Sequence, residues 1–423
     1  MQARLIAILK QKGTGHTMSK ALGPLEQDDL TRFFPDSSLN IVTKATLLTA
    51  ILALPKTSEE EAWLQASFNT GIFPSELNFL TQATDGKPAF YTWIQRMTRG
   101  NALTAQEAYD GMAAVFNPHI PDVAKAAFLE ALRLKRETDA EHDGIYRFLW
   151  EKASRISVDV PAVVDLSAAY DGFNRTPFLL PFVACLLASV GVPCVLHGID
   201  EISPKRGMNT AKLLQTAGKP TLLTLDAAKA AIESRSIGWA YVDQSLSFPD
   251  LFALKALRQA MVKRPVLSTL EKLLMPVQAK QTYLVTSYTH PPYRRVMSQL
   301  MQARPWAQGL LVRGIEGGIQ LALDRQTPHI LVSPSDVIEG YVKPEDFAIP
   351  PQELEFEAAL DAQVVLDLGL DALRGQAGYA FDAILYQAAV VAKAFGFESA
   401  GVDQLRQSLS SGQALRHWEA YGS

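Results

Sequence analysis

Residues 167–177 read SAAYDGFNRTP, that is Ser167-Ala168-Ala169-Tyr170-Asp171-Gly172-Phe173-Asn174-Arg175-Thr176-Pro177. The short apolar run PAVVDL (161–166) precedes this stretch, and a long apolar run begins at Phe178. A strand, a polar turn and then an apolar helix is the order in which an α/β enzyme builds a phosphate-cradling loop. Such loops are rich in glycine, because backbone N–H groups close on an anion only where no side chain intervenes. Here Ala168, Ala169 and Tyr170 stand in the turn instead.

Outward from this loop the texture is consistent. From about residue 160 the short runs PAVVDL, GVPCVLHG, IGWAYV, TYLVTSY and GLLVRG alternate with helical stretches. That alternation predicts an α/β domain with a mostly parallel central sheet covered by helices. Residues 352–423 return to helix, and YAFDAILYQAAVVAKAF carries a broad apolar face. The first third is helical and contains a duplication: TKATLLTAILALPKTSEEE (43–61) aligns with AKAAFLEALRLKRETDAEH (124–142) at a constant offset of 81. Both copies end in a Thr-x-x-Glu capping box, Thr57 to Glu60 and Thr138 to Glu141, and a third box runs from Thr104 to Glu107. The turn-rich segment 69–88 is the expected linker. The predicted organisation is an extra helical repeat over 1–75, a small helical domain over 85–150 and the α/β domain over 158–423, with residues 205–235 packing with the helical domain.

The bulk numbers fit an ordinary soluble globular protein of two or three domains: 423 residues, 48% hydrophobic, 20% charged, net charge −4. This charge gives no global drive toward nucleic acid or membrane. The two cysteines, Cys185 and Cys194, lie in apolar sequence, which points to a reducing, cytoplasmic setting rather than a disulfide scaffold. The opening MQARLIAILKQKG lacks the cleavage site of a signal peptide. Phe178 to Leu196 is free of charge over nineteen residues, but Pro181, Gly191 and Pro193 divide it into a buried helix and a buried strand. No membrane partner is expected.

Ligands of open α/β sheets bind beyond the carboxyl ends of the strands. Two such junctions stand out, the opening stretch and VLHGIDEISPKRG (195–207). Together they offer Asn174, Arg175, Thr176, His197, Lys205 and Arg206 to an anion.

The order DL…YDGFN…GVPCVLHG…S-x-K-x-G resembles the anthranilate phosphoribosyltransferase family, which is related to the nucleoside phosphorylases. That family carries a Gly-Thr-Gly-Gly-Asp loop, an Asn-x-Ser-Thr helix start and a Lys-His-Gly-Asn-Arg strand end. RQAMVKRPVLSTLEKLLMP (258–276) is similar to a further family segment, with Arg264 and Pro276 at its first Arg and last Pro. VTSYTHPPY (285–293) and GYVKPEDFAI (340–349) fit later parts. The copy at 89–150 resembles the family's small helical domain, and the resemblance covers about four fifths of the chain. It implies a cleft lined by Asp171, Asn174, Arg175, Thr176, His197, Lys205, Arg206 and Arg264.

The departures are as informative. The glycine-rich positions are Ser167, Ala168, Ala169 and Tyr170, and only Asp171 is kept. Thr176 stands for the family's serine and Pro177 for its threonine. The family lysine is Leu196 and its asparagine is Ile199. The magnesium-holding Asp-Glu pair falls on Ile319 and Gln320 of Glu316-Gly317-Gly318-Ile319-Gln320, and an isoleucine cannot coordinate magnesium. The expectation is a protein that has lost the standard anthranilate reaction and needs no cofactor, with magnesium and phosphoribosyl pyrophosphate retained only under a transferase alternative.

Between Leu251 and Gly314 there are ten Lys/Arg, at 255, 258, 263, 264, 272, 280, 294, 295, 304 and 313, against one acid, Glu271. Such an excess in an acidic protein predicts a basic face, here interleaved with Tyr283, Tyr288, Tyr293 and Trp306. The competing expectation pairs these cations with Glu353, Glu355 and Glu357. A subgroup of the family resembles this chain at YDGFNRTP, LHG and SYTHP. It implies dimerisation through the helical domain and nucleic-acid binding along a basic groove. The resulting expectation is a homodimer that binds nucleic acid or another polyanion through Lys255, Arg258, Lys263, Arg264, Arg294 and Arg295. The alternatives are a transferase with a non-anthranilate acceptor and a non-catalytic scaffold.

Overall fold

The computed structural model describes residues 1–83, 86, 88–354 and 360–422. The chain divides into two compact units, Met1–Glu151 with Ala253–Leu270, and Lys152–Phe252 with Glu271–Ser423. The segment that joins the helical unit is thus Ala253–Leu270, whereas residues 205–235 belong to the α/β unit.

The helical unit contains α1 (Gln2–Lys12), α2 (Pro24–Phe33), α3 (Ile41–Ala53), α4 (Ser58–Thr70), α5 (Ala89–Thr98), α6 (Ala105–Phe116), α7 (Asp122–Lys135) and α8 (Asp139–Lys152). The duplication read from sequence governs its geometry. The first residues of α2 and α6, of α3 and α7, and of α4 and α8 are each 81 apart. All three capping boxes form, and two of them do more than cap. Glu60 accepts from the Thr57 N–H at 2.9 Å and from the Leu22 N–H at 2.9 Å. Its equivalent Glu141 accepts from the Thr138 N–H at 2.7 Å and from the Leu103 N–H at 2.8 Å. Each buried carboxylate also holds one buried ammonium at 2.6 Å, Lys12 for Glu60 and Lys135 for Glu141. The expected linker 69–88 contains a short 3-10 turn, Ser75–Leu80; residues 84, 85 and 87 of it lie outside the described residues.

The α/β unit is built on a seven-stranded sheet of order β4-β3-β2-β6-β7-β8-β9. Its strands are β2 (Ala162–Leu166), β3 (Cys194–Gly198), β4 (Trp239–Asp243), β6 (Gln281–Ser287), β7 (Gln308–Val312), β8 (Thr327–Val332) and β9 (Val337–Val342). The two short strands β1 (Ile156–Ser157) and β5 (Val277–Gln278) pair separately, in parallel. All five apolar runs picked out by sequence become the parallel strands β2, β3, β4, β6 and β7. The β8–β9 hairpin, which the sequence reading does not single out, extends the sheet antiparallel.

Helices cover the sheet. The uncharged segment from Phe178 becomes α9 (Leu180–Ser189), buried at every position, followed by β3. The connections carry the shorter helices α10 (Thr210–Thr216), α11 (Leu225–Glu233), α12 (Gln244–Ser247), α13 (Pro249–Ala253), α14 (Lys255–Met261), α15 (Leu267–Leu270) and α16 (Tyr293–Gln302). Of these, α14 and α15 belong to the helical unit. The C-terminal third supplies α17 (Ala362–Leu373), α18 (Tyr379–Phe395), α19 (Val402–Ser410) and α20 (Gln413–Ala420). α18 and α20 pack on α9, so the apolar run is core and not a membrane span. No helix among the described residues is long and apolar enough to cross a membrane. Both cysteines are buried free thiols, and burial pushes each well above its ordinary pKa.

The order of the sheet locates the site. Strands run outward from β2 to β3 and β4 on one side, and from β6 to β7 on the other. The reversal therefore falls between β2 and β6, and the crevice beyond their carboxyl ends is where such sheets bind ligands. SAAYDGFNRTP starts there, tied to β6 by the Ser167 N–H donating to Val285 O at 2.9 Å.

Removing either repeat's carboxylate strands an ammonium without a counter-charge. Glu60→Ala or Glu141→Ala is expected to cost about 3–5 kcal/mol, the usual penalty for breaking a buried pair. Chemical denaturation of both variants checks this, and the two losses should be alike.

Candidate functional site

Four loops meet beyond the strand ends: 167–177 after β2, 199–209 after β3, 313–320 after β7, and the segment after β4. The first two are sewn together by backbone. The Phe173 N–H donates to Met208 O at 2.8 Å, and the Met208 N–H returns to Phe173 O at 2.7 Å. Gly172, at φ +72°, makes this approach possible, since a Cβ there would sit 2.3 Å from Met208 O. One glycine of the turn is therefore required, but for loop-to-loop pairing.

The anion that the loop would bind is supplied from within. Glu316 accepts from the backbone N–H of Asn174 (3.1 and 3.2 Å to its two oxygens) and of Arg175 (2.7 Å). Lys205 Nζ lies 3.5 Å from the same carboxylate and Arg175 Nε 4.0 Å away. The Glu316 side chain is 3% exposed. Its carboxyl nonetheless titrates below the ordinary value: burial pushes it up, but the N–H donors and the two cations outweigh that. Lys205 is further fixed by donating to Glu316 O at 2.7 Å and Gly172 O at 3.2 Å.

A second buried network starts in the sheet itself. Asp165 of β2 is fully buried, and its Oδ1 lies 3.0 Å from His197 Nε2 on β3. The two groups meet as a close contact only: among the described residues neither Asp165 oxygen, nor His197 Nε2, makes a hydrogen bond. Burial pushes the Asp165 carboxyl above its usual range, while His197 pulls the other way. At the other end of the ring, Nδ1 and the Tyr170 hydroxyl share a hydrogen bond. The Tyr170 ring packs with Ile199, Ile202 and Phe252. Tyrosine thus fills the turn where glycine would leave room, and Ile199 sits beside it where a substrate-side asparagine would stand. Two small clefts, of about 260 and 220 Å³ of open space, border Tyr170 and His197.

The residues at the magnesium position have other duties. Ile319 is fully buried in the core. Gln320 donates to Pro177 O at 2.9 Å and accepts from the Leu179 N–H at 3.0 Å, holding the entry to α9. An apolar side chain and an amide with both ends bonded do not fit a hard divalent cation. Among the described residues no group of three or more His, Cys, Asp or Glu could hold a metal.

The remaining predicted residues separate. Asp171 and Thr176 are buried, and Asn174 Nδ2 donates to Lys205 O at 3.2 Å. Arg206 is exposed, 3.8 Å from Glu201. Arg264 belongs to the helical unit, with Lys255, Arg258 and Lys263. Arg258 is a correction: it is 2% exposed and donates to Ser268 Oγ at 3.2 Å, so it belongs to the interior and not to a basic face. Lys263 is half-buried, donates to Lys10 O at 3.1 Å, and burial draws it down to about 8. Arg264, Arg294 and Arg295 are exposed, Arg294 in an ion pair with Glu339 at 2.7 Å and Arg295 bonded to Gln299 at 2.8 Å. Of the interleaved aromatics, Tyr288 and Trp306 are buried and Tyr283 packs on Phe395 and Phe397. Glu355 and Glu357, expected as partners of the cations, lie outside the described residues.

Comparison with known proteins matches this architecture. The helical bundle domain of the glycosyl transferase family matches residues 91–153, the second repeat. Anthranilate phosphoribosyltransferase of Anaeromyxobacter sp. (strain K) is 27% identical over 332 residues, 76% of this chain and 94% of that protein. An uncharacterized protein of Aquifex aeolicus (strain VF5) is 29% identical over 225 residues, 53% of this chain and 67% of its own. The crystal structure of anthranilate phosphoribosyltransferase from Thermus thermophilus superposes with a TM-score of 0.64 at 24% identity, over 78% of this chain and 98% of that one. The fold and the site define a glycosyl transferase-type α/β protein with a helical bundle domain. The chain is similar in sequence to anthranilate phosphoribosyltransferases and shares their fold.

Because the Glu316 carboxyl is lowered in the folded state, its contribution is full above the unfolded carboxylate pKa and is lost as pH falls through the folded one. Unfolding of the wild type and Glu316→Gln should therefore differ most at neutral pH. The two should converge as the solution is acidified below about 4.5, the ordinary glutamate value. A gap that stays constant to low pH would contradict this charge-based role.

Proposed function

We propose that this protein is a member of the anthranilate phosphoribosyltransferase fold that no longer transfers phosphoribose to anthranilate and instead binds nucleic acid or a similar polyanion. The observation that carries the reading is the self-filled crevice. The N–H groups of Asn174 and Arg175 are engaged by Glu316, and Tyr170 stands in the glycine turn. Departure of pyrophosphate requires concentrated negative charge to be stabilised by metal and by free backbone donors. Ile319 and Gln320 do not supply the first, and Glu316 already takes the second.

The polyanion half of the reading is supported by exposed cations: Arg264 on the helical unit, and Arg294, Arg295 and Arg313 on the α/β unit. Arg294, Arg313 and the 66% exposed Tyr341, one of the few large apolar side chains left in solvent, all lie around Tyr288. Arginine beside an exposed aromatic ring suits a phosphate chain with bases that stack.

A second reading, a transferase acting on another acceptor, is favoured by the Asp165–His197–Tyr170 chain, whose end lines both clefts. Turnover of phosphoribosyl pyrophosphate with a panel of bases, abolished by Asn174→Ala, would establish it over the first.

Under the leading reading, binding of a fluorescent single-stranded oligonucleotide weakens steeply as salt rises, since each neutralised phosphate releases a counterion. Arg295→Ala should weaken binding uniformly across sequences and lower the salt slope by about one charge. Affinity that is flat across the salt series overturns the reading.

A further inference from the structure

The two helical repeats are related by more than sequence offset. The equivalent helices α3 and α7 pack on one another. Both present small residues fully buried: Ala45, Thr46, Thr49 and Ala50 on α3, and Ala124, Ala127 and Ala131 on α7. Ala53 and its equivalent Leu134, 81 residues apart, fall in one apolar cluster with Ala50 and Leu54. Equivalent positions meet each other only where two copies are related by a local twofold axis. The flanking contacts are reciprocal as well. From the first repeat, the end of α1 reaches α7, where Arg133 donates to Gly13 O at 2.7 Å. From the second, α5 packs on α3. α14 lies against both α3 and α7. Residue i meeting j while the equivalent of j meets the equivalent of i is the property of an isologous interface.

We propose that the first repeat acts as a built-in partner: it occupies the self-complementary face of the second repeat that a second copy of the chain would otherwise cover. The helical unit is then a pseudo-dimer within one polypeptide, and the protein is a monomer. A twofold interface uses one patch on each of two copies, so once the two repeats have met, neither patch remains for another chain. The family's helical bundle matches only the second repeat, at 91–153, which marks the first as the added part. This inference is independent of the polyanion reading, and it replaces the expectation of a homodimer formed through the helical domain.

The test is mass in solution. Light scattering on the full chain over a wide concentration range should give the monomer value, 46.3 kDa, throughout. A stable dimer of the wild type overturns the proposal. Leu54→Asp, placed on the first repeat so that α7 stays intact, should loosen the α3–α7 packing and uncover α7. Its mass is then expected to rise toward twofold with concentration, at unchanged helix content by circular dichroism. A Leu54→Asp protein that keeps its helix content yet stays monomeric at every concentration would show that the α7 face is not self-complementary, and the idea would fall. Should this variant lose its helices, the wild-type mass still decides.

Discussion

The carboxylate of Glu316 is the charge around which the carboxyl edge of the sheet is arranged. Two neighbouring N–H groups, at Asn174 and Arg175, point at one place, and a buried donor without an acceptor costs about 1–3 kcal/mol. In a loop built to bind phosphate those donors wait for an external anion. Here the loop after β7 delivers one, and Lys205 from the loop after β3 closes on both the side chain and the backbone carbonyl of the same residue. Three connections from different parts of the chain are thereby held by one acid. Glu316 adopts φ +52°, a left-handed conformation that a residue with a side chain rarely takes, which fits a position fixed by its hydrogen bonds rather than by local preference.

The interior of the sheet obeys the same logic with a weaker outcome. Asp165 is removed from water completely, and one end of the His197 imidazole faces it at 3.0 Å. The other end needs a partner, and Tyr170 provides it while its ring covers Ile199 and Ile202. A glycine at 170 would leave that histidine nitrogen to water and open the turn. The side chain that fills the turn is thus also the one that bonds the buried histidine. Gln320 follows the same pattern, its amide bridging Pro177 and Leu179 where a carboxylate would otherwise face the crevice.

Much of this is legible in the sequence because local rules decide it. Periodicity and flanking Gly and Pro locate the five parallel strands. The Thr-x-x-Glu boxes mark three helix starts, and the constant offset reports a repeat whose hydrogen bonds prove equivalent. The burial of Ile319 follows from residue type. What escapes is pairing over distance. Glu316 is 141 residues from Arg175, and only its place in a glycine-flanked turn after a strand hints at a special role. The β8–β9 hairpin escapes because β9 is exposed on both faces, so it lacks the alternation that reports a half-buried strand. Arg258 looks like any surface arginine until packing withdraws it.

The basic run from 251 to 314 shows why charge density along a chain is a poor guide to charge density in space. Its cations divide between two structural units at Leu270. Arg258 is interior, and Lys272 is buried with its ammonium donating to Ser287 O at 2.7 Å. Lys263 sits at about 8, so its charge is incomplete near neutral pH unless an anion approaches. Arg294 must leave Glu339 or share it before it can meet a phosphate. A polyanion would therefore meet fewer cations than the run of sequence suggests. Dispersed contacts bind the backbone of a nucleic acid without reading its bases, because phosphate contacts position a chain and carry no sequence information. On the proposed polyanion reading, such contacts would make binding indifferent to sequence, with affinity set by ionic strength.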